Sequence, residues 1–201
     1  MDRGELPEEI GEAAQGGDFE RVKAWLAGGS ASDPRSINGG DGTGWTLLHW
    51  TMIGDRRPGH LEFARYLLSR GARVDAKTYQ GSTALHFACE GAGETTAAMV
   101  SVLVAAGANV NLQTIDGFTP LFLIKEASES TLHMVTTLLR AGASLDHGDQ
   151  QGSLRSFEGH LNNIYRDHME QRVHVDPLFK LVASVRAAGS WKAHCRLAHK
   201  Q

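Results

Sequence analysis

Residues 81–91 read GSTALHFACEG. The same order of Gly, Thr, Leu and His stands upstream in GWTLLHWTM, residues 44–52, and in altered form downstream in GFTPLFLIK, residues 117–125. Each copy is followed by a second phrase: YLLSRGARVDAKT at 66–78, SVLVAAGANVNLQ at 101–113 and TLLRAGASLDHGD at 137–149. The glycine of each second phrase precedes the glycine of the next first phrase by the same interval, Gly71 to Gly81, Gly107 to Gly117 and Gly142 to Gly152. A fixed internal period of this size marks a solenoid, whose units bury their apolar faces only against their neighbours.

Each first phrase reads as a helix start. Thr46, Thr83 and Thr119 precede apolar runs, where a hydroxyl caps the unpaired N–H groups of a first turn. Pro120 stands where a missing N–H does no harm. Leu48, Leu85 and Leu121 fall at one offset and are expected in the core. Phe63, Tyr66 and Leu67, like Met99, Val102 and Leu103, give the second helices an apolar face. Gly71, Gly107 and Gly142 are expected to end those helices in the left-handed conformation. Val74, Val110 and Leu145 then turn inward.

These phrases resemble the ankyrin repeat, with its G-x-T-P-L-H-x-A opening and its second helix ending in L-L-x-x-G-A-x-V-N. The resemblance covers most of residues 8–150. It implies a mainly α solenoid of helix-turn-helix repeats with finger-like turns. It also implies that His49 and His86 hydrogen-bond the turns between repeats. Cys89, at a helix position the family usually fills with alanine, is expected to be a small core residue. GANVN ends in Asn111, with Leu103 eight residues earlier, like the asparagine that some oxygen-dependent hydroxylases modify; the plainer reading is that Asn111 shapes the turn.

The expected organisation is one domain, 1–189. A capping half repeat (8–29) with Phe19, Val22, Trp25 and Leu26 as its apolar face leads into a Gly/Ser/Asp-rich mobile loop (30–43). Full repeats follow at 44–80, 81–116 and 117–151, then a degenerate closing repeat at 152–189. In the closing repeat Asp176 reads as an N-cap, Pro177 as the first helical residue and Gly189 as the stop. Residues 190–201 form a basic tail containing histidine. The repeats exceed the usual length of about 33 residues. The excess lies in IGDRRPGH, EGAGETTA and KEASEST, between the paired helices, and loops on one face of a solenoid are a common binding face.

Composition agrees with a folded protein: 201 residues, 41% hydrophobic, 21% charged, net charge −3. No apolar run approaches the roughly 18 residues that cross a membrane, and the first residues lack the apolar core of a secretory signal. Two cysteines, Cys89 and Cys195, make no disulfide framework, which points to cytoplasm or nucleus. Residues 1–40 carry eight acids and four bases; residues 151–201 carry eight bases, four acids and five histidines. The acidic front and the lack of a basic stripe speak against nucleic acid.

No residues form a catalytic constellation, a phosphate loop or a dinucleotide fingerprint, so no enzyme activity, cofactor or metal is expected. His194, Cys195 and His199, with His168 and His174 upstream, match no zinc spacing. SWKAHCRLAHK, residues 190–200, resembles the opening helix of a SOCS box, which implies a ubiquitin-ligase substrate receptor as an alternative. Ser190, Cys195, Arg196 and Lys200 fit that pattern; His194 and His199 replace two apolar anchors, and no cullin-box segment follows. The first expectation is a monomeric, non-catalytic module that binds a protein or peptide on a concave face. Trp45, Tyr79, Ile115 and Phe118 are its candidate anchors, unless Trp45 and Phe118 stack on neighbouring repeats instead. Glu90 and Glu126 suit a basic partner segment, and Arg56 and Arg57 an acidic one.

Overall fold

In a computed structural model, which describes residues 5–28, 36–54, 57–148, 154–167 and 172–198, the phrases fold into stacked helix pairs. The pairs are α1 (Glu8–Gly16) with α2 (Phe19–Ala27), α3 (Leu47–Ile53) with α4 (Pro58–Ser69), and α5 (Ala84–Cys89) with α6 (Glu94–Ala105). A single 3-10 turn, Pro120–Leu123, then precedes α7 (Glu129–Arg140). A two-stranded hairpin, β1 (Asp146–Gly148) and β2 (Leu154–Ser156), leads to α8 (Phe157–Asp167), α9 (Arg172–Ala188) and α10 (Trp191–Ala198). The first helices form one row, α1 on α3 on α5 on the 3-10 turn on α8; α4, α6, α7 and α9 form the second.

Burial follows the period. Leu48, Leu85 and Leu121 are all but inaccessible, as are Leu67, Leu103 and Leu138 from the second row. Together with Leu6, Ile10, Phe157, Leu178 and Val182 they make one continuous core. Gly71, Gly107 and Gly142 end α4, α6 and α7 with φ of 91°, 90° and 92°, the left-handed region where a Cβ is strained.

Three local expectations are corrected. The opening of the third repeat is one 3-10 turn, not an α-helix. At Thr46/His49 and Thr83/His86 a reciprocal capping box closes the helix start. Phe122 replaces the histidine of the third copy, and its phenyl ring has no acceptor, so among the described residues Thr119 Oγ1 is buried without a partner. The threonine cap predicted there is absent. Secondly, α9 begins at Arg172, so Pro177 lies inside the helix rather than at its start, at the cost of one ladder hydrogen bond. Gly189, with φ of 76°, does end it. Thirdly, the described part of the loop expected at 30–43 is tied into the stack: Leu6 N–H donates to Gly40 O (3.0 Å) and Asn38 Nδ2 to Gly71 O (3.1 Å).

The Asn38 contact belongs to a periodic set. Asn38 Oδ1 also accepts Arg73 N–H (2.7 Å), Asp75 accepts Asn109 N–H (3.0 Å), and Asn111 donates to Gly142 O (2.9 Å) and accepts Ser144 N–H (2.8 Å). Each side chain clips one turn to the next repeat, and this is the turn-shaping role read for Asn111. Asn111→Ala removes both bonds and is expected to cost about 1–2 kcal/mol, read as a lower urea midpoint; an unchanged midpoint would show that water replaces them. At the far end Arg186 of α9 binds Asp146 of β1 (2.8 and 2.9 Å) and Glu158 of α8. Those bonds hold both carboxyls below their usual range.

Candidate partner-binding surface

The turns between repeats project as fingers at residues 41–45, 78–82 and 114–118. Each is closed by the N–H of its first residue on the carbonyl of its last: Asp41 to Trp45 (2.9 Å), Thr78 to Ser82 (2.9 Å), Thr114 to Phe118 (3.0 Å). The side chain of that first residue also accepts a backbone N–H of the turn, from Thr43 and Trp45 for Asp41, Ser82 for Thr78 and Phe118 for Thr114. Such local bonds are why Asp and Thr suit this slot. Gly44, Gly81 and Gly117 then take φ of 81°, 75° and 85°. Neighbouring fingers bond to one another, Tyr79 N–H to Thr43 O (3.0 Å) and Ile115 N–H to Gln80 O (2.9 Å).

Behind the fingers lie the two repeat histidines. His49 Nδ1 accepts Thr46 N–H (3.0 Å) and its Nε2 faces Ala76 O (3.0 Å); His86 Nδ1 accepts Thr83 N–H (3.1 Å) and its Nε2 faces Phe118 O (3.1 Å). A carbonyl only accepts and an amide only donates, so both rings are neutral with the proton on Nε2. Burial pushes the His49 ring down to about 4, against 6.5 ordinarily, and pushes His86 down as well. His160 of α8 makes a different bond, back to Ile124 O at the end of the 3-10 turn (2.6 Å).

The four anchor candidates fall into two classes. Trp45 and Phe118, directly after the finger glycine, are half-buried against neighbouring rings. Trp45 lies 4.5 Å from Phe87 and 5.2 Å from Trp50 between ring centroids, while Phe118 meets His147 at 5.7 Å and lies under Arg155. Tyr79 and Ile115, two residues before the glycine, point outward, 73% and 46% exposed. Their offset from the glycine was readable in the sequence; that it separates inward from outward was not. The same offset in the first finger holds Gly42.

The charged candidates do not form one patch. Glu90 faces Lys125 of the adjoining loop across 3.6 Å. Glu126 is half-buried, its carbonyl accepting the Thr131 hydroxyl (3.1 Å). Arg57 is the N-cap residue of α4, and Arg56 lies outside the described residues. Much of the extra length between paired helices is the first turn of α4, α6 or α7, and the loop at Gly93 is tied to Ser130 Oγ (3.2 Å).

Two residues that sequence reasoning missed join the finger edge. Asp41 accepts Thr43 Oγ1–H (2.6 Å) on Oδ1 and Trp50 Nε1–H (3.1 Å) on Oδ2. Partial burial pushes its carboxyl up, but the donors of Thr43, Trp45 and Trp50 outweigh this and hold it below the usual range. Trp50 is aligned along α3 by that bond. The signal was a turn-opening Asp nine positions before a tryptophan, which acquires meaning only when the finger folds back on the helix.

Cys89 is fully buried, and burial pushes its thiol up, away from the reactive thiolate. Among the described residues no three His, Cys, Asp or Glu side chains gather as a metal site; His168 and His199 lie outside them. His194 Nδ1 is 2.8 Å from Ser184 Oγ, and α10 packs on α9 and α7. No described helix is long and apolar enough to cross a membrane.

Comparison with known proteins agrees with this geometry. A family model described as ankyrin repeats (3 copies) matches residues 10–114, from α1 to the opening of the third finger. The matched segment stops before the repeat whose histidine is replaced by Phe122. Protein glp-1 of Caenorhabditis elegans is 30% identical over 66% of this chain, and the similarity spans 12% of that relative's length.

Proposed function

The chain belongs to the ankyrin repeat family, and we propose from this that it is a non-catalytic recognition module whose finger edge and first helices dock a partner protein. Ankyrin repeats generally mediate protein–protein interaction, and the family is generally non-catalytic. The observation that carries the specific reading is the pair Tyr79 and Ile115. They are the large hydrophobic side chains left exposed among the described residues, and they stand on successive fingers that hydrogen bonds hold in register. Preformed backbone geometry lowers the ordering cost of docking, and an aromatic with few rotors is a frequent anchor.

The test is affinity capture from cell extract with the wild type and a Tyr79→Ala/Ile115→Ala variant. Because neither side chain is in the core, the variant is expected to unfold within about 0.5 kcal/mol of wild type. Proteins held by the wild type and lost from the variant would place the partner on this edge. Equal retention would remove it.

A further inference from the structure

A second surface lies beside the first finger. The Leu6 N–H bond to Gly40 O lays residues 5–7 along the finger, with Leu6 buried beneath. This encloses an open cleft of about 750 Å³ lined by Glu5, Glu8, Asp41, Thr43, Trp45 and Trp50, among others. The two indoles meet at 51° and both are only half-buried. Each is braced from behind. A Cβ on Gly11 of α1 would come 2.7 Å from the Trp50 ring, and Phe87 backs Trp45. Three carboxylates border the cleft and no Lys or Arg lines it. Among the described residues none of the three is paired with a cation.

We propose that this cleft receives a lysine side chain from an extended segment of the partner protein. The proposal rests on the recognition-module reading and adds a charge-selective pocket to it. Aromatic faces attract a cation within about 6 Å of the ring centroid, and carboxylates beside apolar walls raise that preference. The wedge between touching rings has no parallel slot for a planar guanidinium. A compact ammonium with three donors suits it at any angle and reaches toward Glu5, Glu8 and Asp41. The volume, within the range of about 300–1,000 Å³ for ligand pockets, admits the four-carbon stem and flanking backbone.

The chain's four tryptophans provide the readout: Trp25, Trp45, Trp50 and Trp191 each give one indole N–H resonance. Hexalysine amide is titrated at 150 mM salt beside its fully Nζ-acetylated counterpart. The expected result is saturable shifts at Trp45 and Trp50 alone, none with the acetylated peptide, and affinity weakened about fivefold or more in Glu5→Gln/Glu8→Gln. Both glutamates are exposed, so that variant keeps the fold. Silent Trp45 and Trp50 resonances, equal movement of all four, equal binding of the acetylated peptide, or unchanged affinity in the double variant would each overturn the proposal. The Tyr79→Ala/Ile115→Ala variant separates the two readings. It is expected to keep hexalysine binding, so capture lost from that variant with cleft binding intact supports both surfaces, and capture lost from it while the wild-type cleft binds no hexalysine overturns this one alone.

Discussion

Gly81→Val is expected to cost about 3–4 kcal/mol of unfolding free energy, from two sources. The residue sits at φ of 75°, where a side chain costs about 1–2 kcal/mol and a β-branched one is a genuine outlier. In addition, a Cβ there would lie 3.1 Å from Ile115 N and 3.2 Å from Thr114 Cα. Both are backbone atoms of the next finger, held by the Ile115 N–H bond to Gln80 O, so they cannot swing aside as a side chain would. Overpacking of this kind adds about 1–3 kcal/mol. Gly71→Ala is the control. Its φ of 91° is equally left-handed, but nothing lies within 4 Å of the Cβ position, so only the conformational part remains, about 1–2 kcal/mol. Urea unfolding monitored by circular dichroism measures both. Equal losses in the two variants would show that the fingers tolerate separation.

Acidification to pH 4 is expected to remove a similar amount through the buried histidines. With His49 at about 4 in the folded state and 6.5 ordinarily, the unfolded chain binds more protons throughout that interval. Its contribution is therefore complete above about pH 6.5, falls as pH drops, and is exhausted near pH 4. The loss is about 2 kcal/mol by pH 5 and about 3 kcal/mol by pH 4. His86 and His160 act in the same direction. Asp41, Asp146 and Glu158 are held low, so their contributions are lost only at more acid pH. The physical event is specific: a proton on Nδ1 of His49 would face the Thr46 amide it now accepts from. Urea midpoints from pH 7.5 to 4.5 test this, with His49→Gln expected to flatten the slope. A profile already flat in the wild type would mean that the rings titrate normally.

Most of the repeat architecture was legible because a solenoid repeats its own instructions. The glycines at 44, 81 and 117, the leucines at 48, 85 and 121 and the helix-ending glycines recur at fixed spacing, and each demands the same local conformation or the same buried side. Where the phrase changed, the structure changed with it: with Phe122 in place of histidine Thr119 is uncapped, and the opening of that repeat is a 3-10 turn. The meaning of that one substitution depended on seeing the ring nitrogen at work in the other two repeats.

The candidate surface was less legible. By itself the sequence determined the period, the helix pairs, the core positions and the fact that finger tips carry apolar residues. All of these are matters of local conformation or of contact with an adjacent, nearly identical unit. Only the tertiary structure decided that Trp45 and Phe118 pack against neighbouring rings and stay half-buried while Tyr79 and Ile115 stand exposed, and that Asp41 orients Trp50 beside a segment returning from the amino-terminal side. Those outcomes depend on which surface the next repeat or a returning strand happens to cover, and coverage between residues far apart in the chain leaves no periodic mark in the residues themselves.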